Sequence, residues 1–270
     1  MKKEHLLVKH PGSSFRDTLP HYSARHTSAG ALVKEAYLVF KAINGGMSVA
    51  EVRTAVLDGS LIPKKSFETR RTLWRALHRR YFADMPSWVV TELTKAAAAG
   101  NPSTPHFLSL LYLHFALRDR LIFDFVTGLL WDKWCSGVTH VNRGEVLGFL
   151  DAAAEASPEI KRWHESSRKK VASNVLSSLR DFGLLRGVQH KHIQKPSVPK
   201  ETAYHLFLIL TAEGLKSRAI MEAPVWKLFL WSENDVGVAL LELSQQGRLR
   251  YERAGQTVIL EAKEFPADWR

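Results

Sequence analysis

The 270-residue chain has little of what disulfide-bonded, zinc-binding and membrane-spanning proteins require. Cys135 is its only cysteine, so the sequence supports neither an internal disulfide nor a cysteine-rich zinc site. Its longest apolar stretch, residues 107–130, is interrupted by four charged residues. A membrane-spanning helix needs about 20 nearly uninterrupted apolar residues, and residues 1–9 lack the apolar core of a signal peptide. These absences predict a cytoplasmic protein with no membrane partner.

Common signatures of nucleotide and metal chemistry are absent as well. No Gly-x-x-x-x-Gly-Lys-Ser/Thr or Gly-x-Gly-x-x-Gly sequence occurs, and the 12 histidines include no His-Glu-x-x-His arrangement. His190 and His192 stand two residues apart with no carboxylate or thiol in the adjoining sequence, which makes a poor metal site. We therefore expect no cofactor and no bound metal.

One short segment leaves an enzymatic alternative. Glu261-Ala-Lys263 follows a predicted strand, as the Glu-x-Lys of metal-dependent nucleases does. That chemistry needs a second carboxylate on a neighbouring strand to hold Mg²⁺, and Asp235 falls instead at a predicted helix start. A tripeptide also arises easily by chance, so the sequence favours a protein that is not an enzyme.

Positive charge is abundant but unevenly distributed. The chain has 38 Lys+Arg against 27 Asp+Glu. Residues 1–100 hold 16 basic and 8 acidic groups, and residues 161–195 hold 9 and 2. Residues 101–160, between them, hold 4 and 7, and residues 196–270 hold 9 and 10. Two basic segments separated by acidic protein indicate an anionic partner, because solubility alone does not require such clustering.

Helical patterns dominate the chain, and its 45% hydrophobic content is enough for a substantial core. The tail around Ala254-Gly255 alternates apolar and charged residues, which predicts a closing β-hairpin. The predicted class is mainly α, a globular helical protein with two helix-turn-helix or winged-helix-like units and that hairpin. Its predicted regions are an irregular arm at 1–27, a helical region with a helix-turn-helix at 28–100, a buried helical centre at 101–160, and a winged-helix-like region with C-terminal helices and the hairpin at 161–270.

The first basic helix is predicted over residues 66–81. A shorter helix precedes it, opened by Ser48 with Glu51 in a capping box. At about 100° per residue, apolar side chains including Phe67 gather on one side, with Arg70 among them as a misfit. Helix, turn and second helix have the layout of a helix-turn-helix DNA reader, although an ordinary solvated face would show the same charges. The opposite face carries the candidate DNA contacts Arg71, Thr72, Arg75 and Arg79.

The second basic helix is predicted over residues 166–182, with an apolar stripe on one side. Its other side combines small hydroxyls with cations, which suits close approach to a phosphodiester backbone. A short basic segment follows at 184–203, where a winged-helix domain places its two-stranded wing, although a plain loop also fits. The candidate DNA contacts are Ser166, Lys169, Lys170, Ser173, Ser177 and Arg180 on the helix, with His190 and Lys191 in the following segment.

Several motifs occur in the same order as in a known protein family. They are the opening helix with Glu35, Gly-Met-Ser-Val-Ala-Glu at 46–51, Ser66-x-x-Thr69-Arg70 leading to Arg79-Arg80, Arg118-Asp-Arg120-Leu in a hydrophobic stretch, Trp163 before a basic helix ending Phe182-Gly-Leu-Leu185, Pro224-x-Trp226-x-x-Phe229-Leu, and the closing hairpin. The chain thereby resembles BrxA, the accessory protein of BREX bacteriophage-exclusion systems, over residues 28–262. The resemblance implies two helix-turn-helix units, double-stranded DNA binding in phage defence, and other BREX proteins as partners.

The sequence therefore predicts a non-enzymatic protein that binds double-stranded DNA mainly through phosphate contacts from the two basic helices. A DNA-binding transcriptional repressor is one alternative, and it would need an exposed apolar dimer surface because palindromic operators match two-fold symmetry. No leucine-zipper pattern is present, which favours a monomer. A helical scaffold whose basic faces bind acidic protein partners is the other alternative.

Overall fold

The computed structural model describes residues 21–263, and 63% of the structure is helical, which confirms the predicted mainly α class. The α-helices in chain order are α1 Val33–Asn44, α2 Val49–Asp58, α3 Phe67–Tyr81, α4 Ser87–Ala98, α5 Pro105–Ala116, α6 Arg120–Phe125, α7 Trp131–Cys135, α8 Arg143–Ala156, α9 Pro158–Lys161, α10 Glu165–Asp181, α11 Lys200–Ala212, α12 Arg218–Met221 and α13 Glu233–Gln245.

Short strands and other helical turns connect these helices. The strands are β1 His140–Val141, β2 Leu185–Arg186, β3 Lys191–Ile193, β4 Leu249–Ala254 and β5 Thr257–Ala262. 3₁₀-helices span Ala24–Thr27 and Pro224–Phe229, and a π-helix, Val126–Leu130, joins α6 to α7. Among residues 21–263, none of the helices combines the length and apolar character that crossing a bilayer requires.

The helices α2 and α3 begin where the sequence predicts. Ser48 and Glu51 form the expected capping box at α2, with the Glu51 carboxylate accepting from the Ser48 backbone N–H at 2.7 Å. Ser66 caps α3 by accepting from the backbone N–H of Thr69 at 3.1 Å. α2 and α3 pack on each other across the turn that separates them. Two consecutive helices that pack on each other across a turn are thus present at the position where the sequence predicts a helix-turn-helix.

The chain ahead of α1 differs from the sequence prediction. The apolar spacing predicts a helix from Ser28, but the structure begins α1 at Val33 after a left-handed Leu32 with φ of 56°. The side chain of Arg80, in α3, binds backbone carbonyl oxygens that would accept hydrogen bonds within a helix if the helix began at Ser28. It donates hydrogen bonds to the carbonyls of Ala29 (3.2 Å), Gly30 (2.7 Å) and Ala31 (3.3 Å). A distant side chain therefore overrides the local helical pattern.

α5 is the buried centre, as its apolar composition predicts, and nine of its 12 residues are buried. Polar pairs connect it to α11. The hydroxyls of Ser109 and Thr202 are 2.8 Å apart, and the Nε2 atoms of His114 and His205 are 2.9 Å apart. Burial lowers the pKa of His114 to about 3 and that of His205 well below its usual value. The two imidazoles are therefore neutral near pH 7, and the Nε2–H of one donates a hydrogen bond to the Nε2 of the other.

A small sheet is formed by one strand that precedes α8 and two strands that follow α10. The sequence predicts two strands or a loop over 184–203, and the structure forms β2 and β3 there. It also adds β1, from residues before α8, so that the antiparallel order is β1-β3-β2. His140 and Arg186 both pair with His192, one on each side of β3. The sheet therefore ties the start of α8 to the end of α10.

The C-terminal residues form α11 to α13 and the predicted hairpin. β4 and β5 pair antiparallel from Leu249 opposite Ala262 to Ala254 opposite Thr257, which confirms the hairpin and its turn. α13 begins with a capping box between Ser232 and Asp235 and packs on β4. One continuous hydrophobic core extends from the residues before α1 to this hairpin.

We expect Trp74→Ala to lower the free energy of unfolding by about 3–5 kcal/mol, because it empties a buried site in α3. Trp74 is 6% exposed and stacks on Phe82 with ring centroids 5.9 Å apart. The neighbouring Arg75 is exposed, so Arg75→Ala should change the same quantity by no more than about 0.5 kcal/mol. Equal losses for the two variants in urea unfolding would show that the assigned faces of α3 are wrong.

Candidate nucleic-acid interface

The cations on the outer face of α3 differ in their exposure and in whether they have an ion-pair partner. Arg71 donates from Nη2 to Glu68 at 2.6 Å, an exposed i,i+3 pair of small energetic value. Arg75 is exposed, whereas Thr72 and Arg79 are half-buried. Phe67, which the sequence predicts on the packing side, is 50% exposed because it is the first residue of the helix and lies beyond the core.

Arg70 finds the buried-side partner that its position requires. Its Nε donates to the carbonyl of Leu57 at 2.8 Å, and its Nη1 donates to the carbonyl of Lys64 at 2.5 Å. These oxygens belong to the end of α2 and to the turn before α3. Arg70 therefore links the end of α2 to the turn before α3.

The basic face of α10 is also partly neutralised within the protein. Lys169 pairs with Glu165 at 2.5 Å, and Arg180 pairs with Asp181 at 2.7 Å. Lys170 is exposed, and no carboxylate of residues 21–263 lies within ion-pair distance of it. The apolar stripe predicted for the opposite side of the helix is buried, which confirms its orientation.

A groove of about 390 Å³ lies beside the C-terminal half of α10. Its lining comes from three parts of the chain, namely the start of α8, one face of α10 and the turn between β2 and β3. The lining residues are Asn142, Arg143, Ser173, Leu176, Ser177, Arg180, Val188, Gln189 and Lys191. Two hydroxyls, two amides, two guanidinium groups and one lysine are thus presented together around one concave surface.

Lys191 lies at the inner side of the groove. Only 7% of the residue is exposed, and its Nζ donates to the carbonyl of Gly187 at 2.9 Å, across the β2–β3 turn. Burial, followed by the positive charge of Arg180, lowers the pKa of Lys191. His190 is exposed at the tip of the same turn. The hydrogen bond from Lys191 therefore fixes the conformation of the β2–β3 turn, which carries His190.

The structure brings some of the predicted contacts together and leaves others apart. Ser173, Ser177, Arg180 and Lys191 line the groove, whereas Ser166, Lys169 and Lys170 lie one or more turns nearer the start of α10. The α3 contacts, Arg71, Thr72, Arg75 and Arg79, do not line it. The predicted set therefore divides into a groove, an outer part of α10 and a separate face on α3.

Sequence reasoning missed the contribution of the start of α8. Asn142 caps this helix by accepting from the backbone N–H of Glu145 at 3.2 Å, and Arg143 is exposed beside it. Asn-x-x-Glu is a recognisable start signal. What the sequence did not reveal is β1, which pairs with β3 just before this helix start, so that Arg143 lines the same groove as Arg180.

The carboxylates of the nuclease alternative have other partners. Glu261 lies opposite Arg250 in the hairpin, 3.6 Å away, and Asp235 pairs with Lys195 at 2.6 Å while capping α13. Across residues 21–263, no group of three or more His, Cys, Asp or Glu side chains is placed to hold a metal ion.

A family model of BrxA matches residues 20–207, which contain α3, α10, the groove and the three-stranded sheet. The chain belongs to the BrxA family. Membership in BrxA implies a BREX-associated role, and BrxA is a family of accessory proteins, not a known enzyme family. No curated protein matches the chain.

A solved structure shares the fold. The crystal structure of an uncharacterized protein from Magnetospirillum magneticum aligns with a TM-score of 0.58 and 15% sequence identity. The alignment covers 78% of this chain and 100% of that chain. At this identity the likeness concerns the fold alone.

Two glycines beside the groove should respond differently to the same substitution. Gly183 and Gly187 both have positive φ, of 85° and 91°. A Cβ on Gly183 would meet nothing within 4 Å, whereas one on Gly187 would lie 2.1 Å from the His190 carbonyl oxygen. We expect Gly183→Ala to cost about 1–2 kcal/mol of stability from backbone strain, and Gly187→Ala to cost more because the turn must move. Equal costs in chemical unfolding would contradict this geometry.

Proposed function

We propose that this protein is a cytoplasmic, non-enzymatic accessory protein of a BREX phage-defence system and that it binds double-stranded DNA. The observation that carries the proposal is the groove on α10, where Arg143 and Arg180 stand around serine hydroxyls. Small hydroxyls permit close approach of a phosphodiester backbone, and guanidinium groups neutralise and hydrogen-bond phosphates.

The order of elements around the groove supports the proposal. From α7 onward the chain runs helix, strand, three helices, strand, strand, with the sheet order β1-β3-β2. Apart from α9, a helix of four residues, this is the order expected of a winged-helix unit, and we propose that α10 acts as its recognition helix and the β2–β3 turn as its wing. A recognition helix enters the major groove while the wing contacts the adjacent backbone. Val188, Gln189 and His190 then lie where a wing approaches DNA.

The helix-turn-helix of α2 and α3 provides a second contact. Its outer face presents Thr72, Arg75 and Arg79, with Arg71 shared with Glu68. An exposed i,i+3 ion pair holds its arginine weakly, so a phosphate can replace Glu68 as partner. Two units in one chain also make a dimer unnecessary for a long footprint, and we propose that the protein binds as a monomer.

Two other functions remain as alternatives to DNA binding in phage defence. A transcriptional repressor would discriminate strongly between sequences, whereas the proposed contacts are mostly to phosphates and carry no sequence information directly. A helical scaffold for acidic protein partners would bind no DNA by itself. Binding of the purified protein to unrelated duplexes with similar affinity would exclude both.

We expect DNA affinity to fall steeply with salt, because phosphate neutralisation releases counterions. If about five phosphates are contacted, the slope of log K against log[salt] should be near −4 to −5. Fluorescence anisotropy with a labelled duplex at several salt concentrations measures this slope, and single-stranded DNA of the same length is the comparison. A slope close to zero for the duplex would contradict the proposal.

Charge reversal should show whether both units contribute. We expect Lys169→Glu with Lys170→Glu to weaken binding and flatten the salt slope without abolishing binding, because α3 remains intact. Adding Arg71→Glu and Arg75→Glu should eliminate it. The exposed lysines of the C-terminal region offer a control with the same charge change, Lys216→Glu with Lys263→Glu. If the α10 pair behaves like this control, α10 does not contact DNA.

A further inference from the structure

The segment 24–31, which we call the strap, lies between the two basic helices and is bonded to both. On one side, Arg80 of α3 donates to the strap carbonyls of residues 29–31. On the other, the side-chain amide of Asn174 in α10 donates to the carbonyl of His26. The helical turn at the start of the strap packs along α10. The strap therefore bridges the surfaces on which the two sets of cations stand.

Buried side chains determine which strap and α3 residues point outward. His26 is 1% exposed, and its ring meets Phe115 edge-on with centroids 5.7 Å apart. Arg80 is 5% exposed, and its guanidinium lies 4.7 Å from the centre of the same ring. Both anchors converge on one phenylalanine, and the residues that precede them, Arg25 and Arg79, are close enough for the charge of Arg25 to act on Arg79. Arg25 is exposed and Arg79 is half-buried.

Positive charge at this place exceeds the negative charge available to balance it. Burial, followed by the charges of Arg25 and Arg80, lowers the pKa of Arg79, which is consistent with closely spaced arginines. The nearby carboxylate, Asp119, is occupied by His26 at 2.9 Å and by the backbone N–H of Ile122 at 3.2 Å. Within residues 21–263, neither Arg25 nor Arg79 has a carboxylate at ion-pair distance.

Arg118 completes the charged surroundings but is held by the fold. Its Nη2 donates to the carbonyls of Ala83 at 2.8 Å and Arg79 at 3.4 Å, at the end of α3. It adds positive potential while its hydrogen bonds secure the backbone beside Arg79. Two guanidinium groups that have no ion-pair partner among residues 21–263, with a fixed third beside them, are a suitable receptor for one tetrahedral anion.

We propose that Arg25 and Arg79 together bind one phosphate group of duplex DNA, midway between the two helix-turn-helix units. This inference rests on the proposed function and extends it, because a phosphate held there joins the α3 and α10 contacts into one track. Lys170 continues the track, since it lies four residues before Asn174 and so shares the side of α10 that meets the strap. A single duplex then runs across both units, and the protein does not bridge two duplexes.

Salt-dependence measurements on Arg25→Gln, Arg79→Gln and the double variant test the shared phosphate. With a labelled duplex of about three helical turns, each single variant should bind roughly tenfold more weakly at low salt. The slope of log K against log[salt] should become less steep by about 0.9 in the double variant, the value for one phosphate, and not by twice that. Arg25→Lys should keep the wild-type slope because it keeps the charge.

Lys216→Gln is the matched control, since Lys216 is exposed and belongs to the C-terminal region, which is not among the proposed DNA contacts. Thermal unfolding checks that every variant is folded. The inference alone is overturned if the wild-type protein binds with a steep slope while Arg25→Gln behaves like Lys216→Gln, or if the two arginine variants flatten the slope independently. Failure of the wild-type protein to bind the duplex overturns the proposed function and this inference together.

Discussion

The buried guanidinium of Arg80 is the interaction on which the arrangement of the basic surfaces depends. Removing an arginine from water is costly unless its donors are satisfied, and burial accordingly lowers the pKa of Arg80. Three carbonyl oxygens and the face of Phe115 replace the lost water. Because these groups belong to the strap and to α5, the charge can be accommodated only when α3, the strap and the central helix are assembled together.

The same assembly reaches α10 through His26. The His26 ring is buried against Phe115 and bonded to Asp119, while its carbonyl accepts from Asn174. Burial raises the pKa of Asp119, but the contacts with His26 and Arg80 outweigh this and the net effect lowers it. Buried polar contacts thus connect α3 and α10, which are distant in sequence. Their relative position is therefore set by the core.

The arginines of α3 have different structural roles, and the amino-acid composition of the helix does not distinguish these roles. In α3, Arg70 braces the turn, Arg71 is paired with Glu68, and Arg80 is buried. Only Arg75 and Arg79 reach the outside without an ion-pair partner among the residues of 21–263. A net charge counted along the sequence therefore overstates what a ligand can use, and the usable charge is concentrated at fewer positions.

Local signals in the sequence were sufficient for most helices. The capping box at Ser48, the cap at Ser66 and the apolar stripe of α10 act over a few residues, so each could be recognised without knowledge of the fold. The closing hairpin was predictable for the same reason, since its alternation and its turn lie within one short segment. The outward face of α10 followed from its apolar stripe, and with it most of the candidate contacts there.

What lay beyond prediction depends on contacts between distant residues. β1 is two residues long and exists only because β3 pairs with it, so no local pattern marks it. A helix was predicted from Ser28, but Arg80, about 50 residues away, binds the carbonyls of residues 29–31 and the helix begins at Val33. The sequence by itself determined which helices form and which of their faces are basic, because these follow from local periodicity. Only the tertiary structure decided which cations of residues 21–263 have an ion-pair partner and which lie close to one another. The reason is that ion pairs and burial depend on the side chains that folding brings near.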